Sequence, residues 1–140
     1  MKCTVALCLC SFLALGAGNV ATSSPADPYA KVLPAIEQVE SGGDPDAIGD
    51  NGLAVGILQI HPVMVDDCNR IAKAKGLNLT FTLADRKDPA KSRQMFRVYS
   101  DHYSAGSCEK VARNWNGGPK GHTKNATLPY WAKVRKAMGR

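Results

Sequence analysis

The sequence predicts a mainly α-helical domain of about five helices, with a small irregular or β-like segment between the first and second. Three observations predict it. Apolar residues recur at helical spacing from Val32 to Val39. Later segments open with helix-start chemistry at Pro62, at Asp88-Pro89, at Ser107 and at Thr127-Leu128-Pro129. The stretch from Asp44 to Ile60 alone carries turn residues and glycine-punctuated apolar residues.

Each element has a local reason. The first helix spans Pro34 to Ser41, with a start as early as Tyr29 open. Proline suits a first turn or marks a kink, and Gly42-Gly43 ends the helix. Asp44 to Gly52 is a turn region, tightest at Gly49-Asp50-Asn51-Gly52. Leu53 to Ile60 is extended or irregular. A second helix runs from Pro62 to about Lys75. Gly76 to Lys87 connects it to a third helix, capped by Asp88, opened by Pro89 and reaching Tyr103. Ser107 with Glu109 caps a fourth helix through Trp115. Asn116 to Ala126 is a loop, and a last helix runs through Met138.

The chain has 140 residues and a formal net charge of +6. That length suits one domain with a core of its own. Residues 1–21 read as a secretory signal peptide: Lys2 is the charged start, Val5 to Leu15 the apolar stretch, and Gly16, Ala17, Gly18 and Ala21 the small residues after it. The apolar stretch is short for a bilayer span, so no stable membrane insertion is expected. Residues 22–28 form a flexible mature N-terminus, and 29–140 the domain. The positive charges are dispersed, which suits an anionic partner but argues against nucleic acid.

Losing the leader would remove Cys3, Cys8 and Cys10 and leave Cys68 and Cys108. In an oxidising compartment these two are expected to pair, closing a loop of about 40 residues for roughly 2–4 kcal/mol. Two buried free thiols are the alternative. His61, His102 and His122 are scattered, and neither HExxH nor paired CxxC occurs, so no metal is expected. Asn78 and Asn125 head acceptor sequons for glycosylation.

The first helix carries the candidate chemistry. On a helical wheel Val32, Leu33, Ile36 and Val39 share one side, and Glu40 falls between Leu33 and Ile36. Glu37 lies at the margin. A carboxyl held against apolar side chains is costly to ionise, which raises its pKa toward that of a general acid. The alternative is a solvated charge at a helix end.

Four words support the acid. Val39-Glu40-Ser41-Gly42-Gly43 resembles the glutamate-serine-glycine motif of soluble lytic transglycosylases and goose-type lysozymes. Gly56-Ile57-Leu58-Gln59 is similar to that family's glycine-leucine-x-glutamine segment, and here too a proline, Pro62, follows. Ala112-Arg113-Asn114-Trp115-Asn116-Gly117-Gly118 resembles its alanine-x-x-tyrosine-asparagine-x-glycine segment, with Trp115 in place of tyrosine. Leu128-Pro129-Tyr130-Trp131 is similar to the late tyrosine element. The order and spacing agree from about Tyr29 to Lys136.

The resemblance implies a lysozyme-like fold and cleavage of the peptidoglycan backbone between N-acetylmuramic acid and N-acetylglucosamine. It implies that Glu40 is the catalytic acid and that Gln59, Asn116 and Tyr130 meet the sugar or orient the glutamate. Ser41, beside the acid, falls in the substrate-binding set as a supporting position. Trp115 and Trp131 read as core residues and His61 as a cap or surface residue.

Two outcomes stay open. A transglycosylase uses the one glutamate as acid and then base, and closes a 1,6-anhydro ring on the muramic sugar. A lysozyme uses water, and Asp50, with Asp44 and Asp46 before it, is the candidate second carboxylate. Neither needs a cofactor. The expected partner is bacterial peptidoglycan, the expected state a secreted monomer. A non-catalytic cationic wall-binding or antimicrobial protein is the rival reading.

Overall fold

The structure, a computed structural model, describes residues 26–139. The leader expected over 1–21 and the first part of the N-terminal tail lie outside the described residues. Five α-helices occur among the described residues: α1 Leu33–Ser41, α2 Pro62–Ala74, α3 Pro89–Tyr103, α4 Cys108–Gly117 and α5 Leu128–Ala137. Two short strands, β1 Ile48–Gly49 and β2 Ala54–Val55, stand between α1 and α2. The fold is the mainly helical, lysozyme-like one expected, with its β-like segment in the expected place.

The helix boundaries follow local chemistry. Pro34 sits in the first turn of α1, where a missing N–H costs nothing. Gly42 caps the other end in the left-handed region at φ 68°, its N–H donating to Gln38 O. The Asp88 carboxylate accepts from Ala90 N at 2.8 Å and Lys91 N at 3.2 Å, closing the start of α3. Ser107 Oγ accepts from Lys110 N at 3.3 Å at the start of α4. Glu109 does not share that cap and instead pairs with Arg113 one turn on, at 2.7 Å.

Two boundaries differ from expectation. α4 runs through Gly117, so Asn116 belongs to its last turn. The expected loop up to Ala126 carries two tight 3-10 turns, 121–123 and 125–127. Thr127 is buried there and donates to Gly121 O while accepting from Arg113 Nε. Non-local bonds of this kind order a segment whose composition reads as loop.

Helix α1 packs on α5, α2 on α3, and α4 on α5. Ile36, Leu58, Ile60, Ile71, Met95, Phe96 and Val134 are fully buried between them. Phe96 meets Tyr29 edge-on and Trp115 at 5.0 Å between ring centroids. Burying each such side chain stabilises the fold by roughly 1.5–3 kcal/mol.

The expected Cys68–Cys108 bridge is not formed; both are free thiols. Cys68 is fully buried on α2, and its Sγ donates to Met95 O of α3 at 3.4 Å. Its thiol is thus committed to the α2–α3 seam. Burial pushes the Cys68 thiol up to about 12.

Candidate active site

The strands position the site. They pair antiparallel, Ile48 with Val55 and Gly49 with Ala54, and Val55 bridges again to Ile60. Gly56 turns the chain at φ 81°, and a Cβ there would collide with Arg86 O, so no other residue fits. Arg86 Nη1 reaches back to both Leu53 O at 2.9 Å and Ile60 O at 3.2 Å. One guanidinium thus ties the 50–53 turn to the start of α2.

Glu40 stands in the last turn of α1, half-buried. Tyr130 Oη, brought up by the packing of α5 on α1, donates to Glu40 Oε1 at 2.6 Å. Burial raises the Glu40 pKa above the ordinary carboxylate value. The Tyr130 hydrogen bond and a charged His61 oppose that rise, and the Asp50 carboxylate adds to it. Burial, then the Glu40 charge, raises the Tyr130 phenol further, so it remains a donor throughout the neutral range.

Glu37, one turn earlier, has a different fate. It is the buried glutamate of α1, and Arg93 of α3 grips both its oxygens at 2.7 and 3.0 Å. Of the two acids on this helix, one is neutralised by an arginine and the other faces a cleft.

That cleft has a volume of about 490 Å³ and is lined by Glu40, Asp50, Gln59, His61, Trp115 and Asn116, with Gly49, Ala54, Val63, Met64 and Gly118 between them. It brings together Glu40, Gln59, Asn116 and Asp50 from four parts of the sequence. Tyr130 reaches it through Glu40.

The supporting groups are resolved individually. Gln59 adopts a left-handed backbone at φ 48°, and its Nε2 donates to Gly56 O and Ala47 O. Its amide therefore holds the strand turn shut while the side chain lines the cleft. Ser41 does not line the cleft. Its Oγ donates to Ile57 O at 2.9 Å and accepts from Gly43 N at 3.1 Å, fastening the end of α1 to the Gly56–Ile60 turn. Asn116 is exposed on the last turn of α4. Trp115 is both core and cleft wall.

Of the three aspartates, Asp50 alone lines the cleft. Asp44 Oδ1 accepts from Asp46 N in its own turn, and Asp46 faces Lys87 at 3.7 Å. Two contributors escaped the sequence reading. His61 makes no side-chain cap, and its Nε2 instead lies 2.9 Å from Asp50 Oδ2, in the cleft. Asn114, fully buried, donates to Tyr103 O and Ser104 Oγ and accepts from His122 N, holding the loop behind Asn116. The position of Asn114 inside the third sequence word was its only signal.

The chain is similar to known proteins. The transglycosylase SLT domain model matches residues 27–136. The chain is 31% identical over 113 residues to "Invertebrate-type lysozyme 6" of Caenorhabditis elegans, covering 74% of this chain and 82% of the relative. It is 32% identical over 113 residues to "Invertebrate-type lysozyme 3" of the same organism, covering 71% and 79%. Among solved structures it is similar to a chain of "Crystal structure of Aeromonas hydrophila PliI in complex with Meretrix lusoria lysozyme", with TM-score 0.63 and 27% identity over 76% of this chain and 88% of that one. On these matches the chain belongs to the transglycosylase SLT domain family, is homologous to the invertebrate-type lysozymes, and is a peptidoglycan glycosidase.

Proposed function

We propose that this glycosidase is a secreted lysozyme that hydrolyses the β-1,4 bond between N-acetylmuramic acid and N-acetylglucosamine, with Glu40 as general acid. The observation that carries the reading is a half-buried carboxyl lining the cleft and held by Tyr130, whose pKa burial raises above the ordinary carboxylate value. A general acid must hold its proton until the glycosidic oxygen arrives, and an exposed glutamate would have lost it.

In this reading Glu40 gives its proton to the leaving oxygen as the bond to the muramic C1 breaks. Tyr130 fixes the carboxyl and hydrogen-bonds the carboxylate that forms. Asp50 draws a proton from the water that attacks C1, and the product has a reducing end. Gln59 and Asn116 contact the sugars, and Ser41 holds Glu40 in place from behind. The formal net charge, +6 over the whole sequence and one less without Lys2 of the expected leader, favours capture of an anionic wall.

Hydrolysis is favoured over the 1,6-anhydro outcome by Asp50, which supplies a second carboxylate in the cleft, and by the invertebrate-type lysozymes among the relatives. Mass spectrometry of digested peptidoglycan tests it. Reducing muramic ends are expected. Anhydro-muramyl ends would assign the transglycosylase outcome, and intact glycan would remove both.

A further inference from the structure

The cleft contains a contact that the roles given so far leave unused. Asp50 occupies a left-handed backbone position at φ 47° and leads a three-residue turn; its side chain is 68% exposed. An exposed carboxylate on such a turn has several rotamers open to it, and only some face the reacting atoms. A catalytic base needs one.

His61 stands on far firmer ground. Ile60 before it is fully buried and exchanges both backbone hydrogen bonds with Val55. Pro62 after it fixes the first turn of α2, and His61 O accepts from Met64 N at 3.0 Å. Arg86 binds Leu53 O and Ile60 O together, so the separation of the two backbones is set by a third element. From that base the imidazole Nε2 reaches Asp50 Oδ2 at 2.9 Å. The charged groups facing His61 are Asp50 on the turn and Glu40 at the end of α1.

We propose that His61 is a positioning residue: an imidazole on a fixed stretch of backbone that selects the cleft-facing rotamer of Asp50 and donates to its carboxylate while that carboxylate activates water. This rests on the reading of Asp50 as the base. His61 acts through Asp50 and transfers no proton to substrate. When charged it also favours ionisation of Glu40.

Without His61, Glu40 loses a nearby positive charge and holds its proton more tightly, so the basic limb of the rate profile moves to higher pH. A merely structural loss would lower the rate without moving that limb.

The test is a double-mutant cycle on soluble wall fragments, with kcat, KM and the pH profile measured for each variant. His61→Ala is expected to lower kcat about tenfold with little change in KM. His61→Gln, which keeps a donor, is expected to recover part of that loss. In an Asp50→Asn background His61→Ala is expected to cost nothing further. Thermal unfolding of each variant shows whether it is folded, and the glutamine variant stands in if the alanine one is not. Full activity in Asp50→Asn would overturn the role of Asp50 itself. Loss in Asp50→Asn with unchanged kcat and basic limb in His61→Ala would overturn the positioning role alone, as would fully additive losses.

Discussion

The Tyr130 hydroxyl donates to Glu40 across the α1–α5 seam at 2.6 Å, joining residues 90 positions apart in the chain. This bond favours the ionised carboxyl, against the burial that favours the neutral one. Tyr130→Phe removes the first effect and leaves the second. The Glu40 pKa then rises further, and the basic limb of kcat/KM moves to higher pH. A several-fold loss of kcat is expected as well, because the carboxylate formed on proton transfer loses a donor worth about 1 kcal/mol or more. A limb that moves to lower pH would contradict the assignment.

Glu37 shows what the same helix does with an acid outside the cleft. Arg93→Ala leaves its carboxylate buried without its cation, at a cost of roughly 1–3 kcal/mol. The Arg93 head is nearly half exposed, so the lower part of that range applies. Thermal unfolding measures the loss. Activity per folded molecule is expected to stay within about twofold, since Glu37 does not line the cleft.

Gly56 tests the local architecture. Gly56→Ala puts a Cβ against Arg86 O at a left-handed backbone position, costing about 1–3 kcal/mol in strain alone. The turn carrying Gln59 and leading to His61 must shift with it. Loss of activity is therefore expected to exceed the loss of folded protein, as judged by circular dichroism against lysis rate.

How much of this was legible in the sequence depends on distance along the chain. The starts of α3 and α4 were, because Asp88 and Ser107 cap them within three residues. So was the placement of Glu40 on the apolar side of α1, a matter of one helical turn. The resemblance brought Gln59 and Asn116 to the cleft and gave Ser41 as a supporting position in the substrate-binding set. Its hydroxyl is spent on Ile57 O, which depends on how the next segment folds back. The Glu37–Arg93 pair spans 56 positions and the His61–Asp50 contact needs the strand turn closed first; neither leaves a periodic trace.

The cysteines mark another such limit. Counting thiols suggested a bridge, but Cys68 and Cys108 are free thiols, and Cys68 packs buried against Met95 O. With its thiol pushed up to about 12, Cys68 carries almost no thiolate at neutral pH. Alkylation of Cys68 is expected only on unfolding, and reductant is expected to leave Tm unchanged. A reductant-sensitive Tm would restore the bridge.

The raised pKa of Glu40 also has a stability signature. Its folded-state pKa lies above the unfolded value, so ionisation weakens the fold as pH rises through that interval. Glu40→Gln is therefore expected to raise Tm at neutral pH, with the difference vanishing in acid, where the wild-type carboxyl is protonated folded or unfolded. Equal Tm values at all pH would contradict a buried, ionisation-averse acid.

The most direct measurement uses that same variant on the wall itself. Purified wild type and Glu40→Gln are compared for release of soluble glycan from peptidoglycan and for sedimentation with it. The account predicts that Glu40→Gln still binds while its release rate falls by about 10²–10⁴-fold. Release at the wild-type rate would contradict it.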